Sequence, residues 1–294
     1  MAKVSTDPKR EIHFTKFAVL LVDVLSQRSQ MASMSKLPEK REDFPFFLKG
    51  ARETVGNVIG FRELLQNYVE GFASSASLPT PPGMTPEMLV RAQQLRTSMI
   101  QTQSFSDTTL LYMRLPDDVA TGMKSLYGLV LGAAFAHAAF LASKVAVRGA
   151  IAIGVGTDDA FHEELYGPVL AEAHQIETEV AKYPRIVVSA EFVKYIDLVS
   201  GRTAVDVQTQ YSAGVAKEIR EMIVKDADEQ YVLNFLSPKL RAIVDGVPLR
   251  WADVVQRARG FALASLRQFQ KAKDPKLTGR YEQLLRFFNE HATK

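Results

Sequence analysis

The hydrophobic positions of this chain form two patterns, short apolar runs and longer spaced stripes, and each predicts a different element. Phe17–Leu25 reads FAVLLVDVL, branched and apolar except at Asp23. A run so short and apolar predicts a strand buried on both faces. Met99–Gln103 and Asp107–Arg114 read as the arms of a hairpin, with Ser104, Phe105 and Ser106 at its tip. Ala146–Val155 and Arg185–Ser189 are further strands, the first carrying Gly149 and Gly154 where another backbone must approach. A weaker strand is expected at Gln230–Leu236.

The spaced stripes predict helices. Phe47, Leu48, Val55, Val58, Ile59, Phe61, Leu64, Leu65, Tyr68 and Val69 recur at helical spacing, so Phe44–Phe72 reads as one long helix. Pro116 and the acids after it suit the start of a second helix, running to Ser143. Further helices are expected at Gly167–Lys182, Ala190–Leu198, Leu249–Lys271 and Lys276–His291. The Ser- and Pro-rich stretch 74–86 is a loop, as are the polar residues 26–43, and Thr157–Glu164 reads as an acidic loop.

Strand, helix, strand, strand, helix, strand is a ferredoxin-like order with additions. The expected fold is α/β (α+β), an antiparallel-rich sheet with flanking helices and two extra C-terminal helices. Residues 1–200 would hold this unit, its core at 15–190. Residues 201–294 would form an extension packed on the same domain.

Composition narrows the function classes. The 294 residues, 47% of them hydrophobic, suffice for a large core. A net charge of +3 without a dense basic run gives no sign of a nucleic-acid groove. The absence of Cys excludes disulfides, thiolate catalysis and Cys-based zinc sites. It also fits a reducing cytoplasm. The polar start MAKVSTDPKR reads as no signal peptide, so a cytoplasmic location is expected. Ser125–Ser143 contains no charged residue and just reaches membrane-spanning length. It is Ala-rich, contains His137 and lies between two strands, so a core helix is expected and no membrane.

The candidate chemistry begins at Asp23. A carboxylate at the end of a buried strand needs a partner. A basic side chain, a helix N-terminus or a metal ion would serve. Asp107 stands at the mouth of another strand, and the two acids meeting across one sheet would suit a divalent ion and a nucleoside triphosphate. Other motifs carry less. His162-Glu-Glu-Leu-Tyr166 lacks the second His of a zinc protease. Gly149, Gly154 and Gly156 form no dinucleotide fingerprint. No His stands in sequence near Ser104 and Ser106 as a base. His137 reads as a core or interface residue, His174 as a surface one.

Taken in order, the strand with Asp23, the hairpin with Ser-Asp at its turn, Arg148-Gly-Ala-Ile-Ala-Ile-Gly154, Tyr166-Gly-Pro-Val-Leu-Ala-Glu-Ala-His-Gln-Ile-Glu177 and Pro184-Arg-Ile-Val-Val-Ser189 resemble the class III nucleotide cyclase catalytic domain. The resemblance covers residues 15–190. The Tyr-Gly-Pro variant and the two trailing helices are most similar to the pyrimidine cyclases of Pycsar anti-phage defence. This implies two Mg²⁺ or Mn²⁺ ions per site, held by Asp23, Asp107 and the Val24 carbonyl. It implies attack of a ribose 3′-hydroxyl on the α-phosphorus, giving a 3′,5′-cyclic nucleotide and pyrophosphate. It also implies a homodimer with sites at the interface, and a cyclic-nucleotide-binding effector downstream.

The same resemblance assigns base selection to Gln103 and Glu164, and an amide that both donates and accepts could read uracil or cytosine. Strand-surface and loop roles are the plain alternatives for these two. The family's Asn and Arg after the Trp-Gly motif fall here on Ala171 and Gln175, so its usual transition-state cation is missing. Arg148, with Lys182 behind it, is the substitute candidate, unless Arg148 pairs structurally with an acid. UTP is favoured as substrate, with CTP next. A purine cyclase, or a degenerate cyclase-homology module that only binds a nucleotide, are the rival readings.

Overall fold

The computed structural model describes residues 12–25, 34–74, 84–93, 99–116, 119–161, 164–203, 206–244 and 250–292. In chain order the elements are β1 (Thr15–Val24), α1 (Phe44–Ser74), α2 (Pro86–Gln93), β2 (Gln101–Phe105), β3 (Thr108–Arg114), α3 (Val119–Ala142), β4 (Val147–Phe161) and β5 (Glu164–Tyr166). There follow α4 (Pro168–Gln175), a π-helical turn at Ile176–Val180, β6 (Ile186–Val188), α5 (Ala190–Ser200), α6 (Val207–Glu221) and β7 (Ile223–Lys225). The chain ends with β8 (Tyr231–Leu233), α7 (Pro238–Val244), α8 (Trp251–Lys271) and α9 (Pro275–His291). The fold is mixed α/β, with one mostly antiparallel sheet of eight strands in the order β2-β3-β1-β4-β6-β8-β7. β5 folds back on the far half of β4.

The apolar run of β1 is buried on both faces, as its sequence predicts. Ala18, Leu20, Val22 and Val24 point into a large core with Phe61, Leu65 and Val69 of α1 and the apolar face of α3. Phe17, Val19 and Leu21 point the other way, into a small core with Leu110, Tyr112, Ala150 and Ala152. That core is roofed by Leu165, Val169 and Ala173. Asp23 continues this second row, because successive side chains on a strand alternate between faces.

Among the described residues one helix is long and apolar enough to cross a membrane, Gly122–Ala142, and 89% of that window is buried inside the protein. It is the core helix expected from its position between two strands. The large core also takes in Trp251, Leu284, Phe287 and Phe288 of α8 and α9 and Val232 of β8, so the C-terminal segment shares it. A buried ion-pair network ties this segment to the sheet. Arg185 donates to Asp226 (2.5 Å) and Asp228 (2.6 and 2.9 Å) and to the Val180 carbonyl (2.8 Å), while Tyr183 donates to Asp226.

Several local expectations are corrected. The hairpin tip is Ser106–Asp107, not Ser104–Ser106, because Ser104 and Phe105 pair with Thr109 and Thr108. Ser106 takes the left-handed conformation (φ 53°) that closes so short a turn. The expected acidic loop at 157–164 is strand for most of its length. Asp158 is tolerated there because Arg114 holds it at 3.0 Å. The helix after Gly167 is α-helical only to Gln175 and then widens into the π turn. Helix α6 carried no sequence expectation at all. Its apolar residues are diluted by Gln, Ser and Lys, yet Tyr211, Val215, Ala216 and Ile219 are buried. The loop expectations for 26–33 and 75–83, and His162, lie outside the described residues.

Candidate functional site

Register builds the site. Asp23 stands opposite Thr108 of β3 and opposite Arg148 of β4, so the three side chains form one row across the sheet on the same face. Thr108 Oγ1 donates to Asp23 at 3.0 Å, and Arg148 Nε lies 3.8 Å from the Asp23 carboxylate. The next residue, Val24, donates its backbone N–H to the Asp107 carbonyl at 3.2 Å. That bond ties the end of β1 to the hairpin turn. Asp23 is lifted above the usual carboxylate range by burial first, with the hydrogen bond from Thr108 opposing. The nearby negative charge of Asp107 raises it further, and Arg148 and His174 pull it down. Asp23 and Asp107 are thus electrostatic neighbours although 84 positions apart in the chain.

Three side chains around this row escaped the sequence reading. Glu177, on the π turn, is 3% exposed and ion-pairs with Arg148. Burial raises its pKa, Arg148 opposes that, and Asp23 adds to it. The signal was present: Val169, Ala173 and Glu177 recur every four residues, which puts Glu177 on the inward face of the helix. Arg62, on α1, donates to the Ser106 carbonyl at the hairpin tip. Arg280, half-buried on α9, is lowered by burial and then by repulsion from Arg148, so a second guanidinium stands near the row. Nothing in local sequence marks Arg62 or Arg280, because both reach the site through helix packing. His174, expected at the surface, is exposed but near enough to Asp23 and Glu177 to pull both down.

The remaining expected residues are spread out. Gln103, half-buried on β2, pairs with Leu110 and shares the Asp23 face two residues from the row. Glu164 is exposed on β5, paired with Phe161 at the far end of β4, and the chain does not bring it to Asp23. Val24 turns its side chain into the large core, leaving only backbone toward the site. Ala171 and Gln175 are exposed on α4, where Gln175 pairs with Glu179 at 3.2 Å. Lys182 is exposed beyond the π turn. A cavity of about 440 Å³ between α1, α3 and α8, lined by Tyr68, Ser143, Arg250 and Arg257 among others, contains none of these residues.

Among the described residues no three Asp, Glu or His side chains converge as a metal cage. The row holds one carboxylate, Asp23, and the adjoining hairpin turn holds Asp107, both hard oxygen donors. Mg²⁺ is commonly held by one or two carboxylates plus substrate phosphates rather than by an all-protein cage, so this set fits such an ion. The chain matches no protein-family model, no curated protein and no solved structure.

Proposed function

We propose that this chain is a nucleotidyl cyclase of the class III kind, converting a pyrimidine triphosphate, UTP ahead of CTP, to its 3′,5′-cyclic monophosphate and pyrophosphate. The observation that carries the reading is the end of β1, where Asp23 lies in one row with Thr108 and Arg148 and the Val24 N–H bonds to the carbonyl of Asp107 in the hairpin turn. The strand order β2-β3-β1-β4, all antiparallel, with α1 and α2 between β1 and β2 and α3 between β3 and β4, supports the ferredoxin-like cyclase fold. Asp23, Asp107 and the Val24 carbonyl would hold Mn²⁺ or Mg²⁺. When bound, those ions would lower the pKa of the ribose hydroxyl and neutralise the leaving pyrophosphate. Arg148, steadied by Glu177, would face the triphosphate, with Arg280 as the second cation near it. A cytoplasmic homodimer with sites at its interface, a role in anti-phage defence and a cyclic-nucleotide-binding effector belong to the same proposal.

A second reading is a nucleotide-binding module without turnover. The ion pair that engages Arg148 and the neutral pair Ala171 and Gln175 favour it. The deciding experiment incubates the protein with each of the four nucleoside triphosphates and Mn²⁺, separates products by chromatography, and uses Asp107→Ala as control. A cyclic pyrimidine product that vanishes in the variant is expected. No cyclic product from any of the four would overturn the cyclase reading and leave the binding module.

A further inference from the structure

Opposite charges that face each other directly across two antiparallel strands are close enough to pair, with Cβ atoms about 5 Å apart. Asp23 of β1 and Arg148 of β4 stand in that relation. Yet Arg148 Nε stops 3.8 Å from the Asp23 carboxylate, beyond hydrogen-bond reach. The same nitrogen closes on the buried Glu177 instead. Among the described residues the Asp23 side chain accepts one hydrogen bond, from Thr108 at 3.0 Å. An ionised carboxylate offers about four acceptor sites, so most of its capacity is unused. The Asp23 side chain is 18% exposed, so a small ion can reach it.

Glu177 is held in place by the turn that carries it. Helix α4 ends at Gln175 and the next turn is π, closed by the Ala181 N–H on the Ile176 carbonyl at 2.9 Å. The Thr178 hydroxyl donates to the His174 carbonyl at 2.8 Å, and Arg185 clamps the far end through the Val180 carbonyl at 2.8 Å. Ala173 and Ile176 seat the turn on the small core of the sheet. Single π turns at helix ends are frequent at functional sites. We propose that Glu177 is a positioning residue: it draws Arg148 off Asp23 and so keeps the Asp23 carboxylate open to a divalent cation. This rests on the reading of Asp23 as a metal ligand. Without Glu177 the guanidinium would swing onto its cross-strand neighbour and compete with the ion for the same oxygens. A plain contribution of negative charge by Glu177 would act differently, since it would favour the ion whether Arg148 were present or not.

The probe is Mn²⁺ alone, its binding read by water proton relaxation, so no turnover is needed. Asp23→Asn marks the site, and binding that survives it counts as none. Glu177→Gln is expected to weaken Mn²⁺ binding by at least about 10-fold, because an arginine brought against an aspartate changes its proton affinity by about 10- to 1,000-fold. In an Arg148→Ala background that loss should shrink by about 5-fold or more, the coupling of residues in contact. Glu177→Asp keeps the charge but draws its oxygens back by one methylene, and an intermediate loss is expected. Circular dichroism checks each fold, and Glu177→Asp in the same two backgrounds carries the test if the Gln variant does not fold. Equal losses in the two backgrounds, or none in either, would overturn the proposal and leave the metal reading standing. No Mn²⁺ binding by the unmodified chain at millimolar metal would overturn both.

Discussion

Gly128 and Gly132 lie one turn apart on α3 and set how closely α1 can approach. A Cβ at Gly132 would stand 2.5 Å from the Val69 Cα and 2.7 Å from its backbone nitrogen. At Gly128 it would stand 2.5 Å from both the Ala73 Cα and the Ala73 nitrogen. These are backbone atoms, so no rotamer change relieves the overlap. In Gly132→Ala the two helices must separate by about 1 Å to restore contact distance, and a gap of that size forfeits a quarter to a half of each dispersion contact. The contacts at risk include the Phe61–Phe140 and Tyr68–Phe135 ring pairs, at 4.8 and 4.5 Å between centroids. Overpacking of this kind costs about 1–3 kcal/mol, and up to about 1 kcal/mol returns from replacing Gly in a helix. The expected net loss is about 1–2 kcal/mol. Gly128→Ala should cost about the same, and the double variant less than the two together, since one separation relieves both overlaps. Gly260 and Gly279, on α8 and α9, have nothing within 4 Å of an added Cβ. Their Ala variants should stabilise by about 0.5–1 kcal/mol. Urea unfolding followed by circular dichroism reads all five proteins. A Gly132→Ala variant as stable as the parent would show that the helices are not in backbone contact, and the reasoning would fail.

Two further predictions concern single side chains. His137 is fully buried against Phe235, neither ring nitrogen has a hydrogen-bond partner, and burial pushes its pKa down to about 3. The unfolded chain binds a proton below about pH 6.5 that the native chain refuses, so stability is complete above that pH. It should fall by up to about 1.4 kcal/mol per unit as the pH drops toward 3. His137→Leu should flatten this acid limb in urea titrations at pH 7.5, 6 and 5, and an unchanged slope would rule out His137 as its source. Arg62→Ala frees the hairpin tip, so hydrogen exchange should quicken several-fold across residues 106–108 and at the Val24 amide that bonds to Asp107. Unaltered exchange at the tip would mean that Arg62 does not hold it.

What the chain determined by itself was local. Eight apolar residues around one acid predict a strand buried on both faces, and β1 is that strand. The period of the 44–72 stripe can only be a helix, because those residues share a side at 3.6 per turn and at no other repeat. An acid at the end of a buried strand marks Asp23 from sequence alone. Tertiary structure decided the company it keeps. Strand register set Arg148 and Thr108 on either side of Asp23, and register is fixed by which faces are buried across the whole sheet. Helix docking brought Arg62, Glu177 and Arg280 from three separate helices to one end of that sheet. It left Glu164 at the other end, because β4 continues as a strand where an acidic loop was expected. Partners of this kind are set by packing between elements far apart in the chain, and no local spacing encodes them.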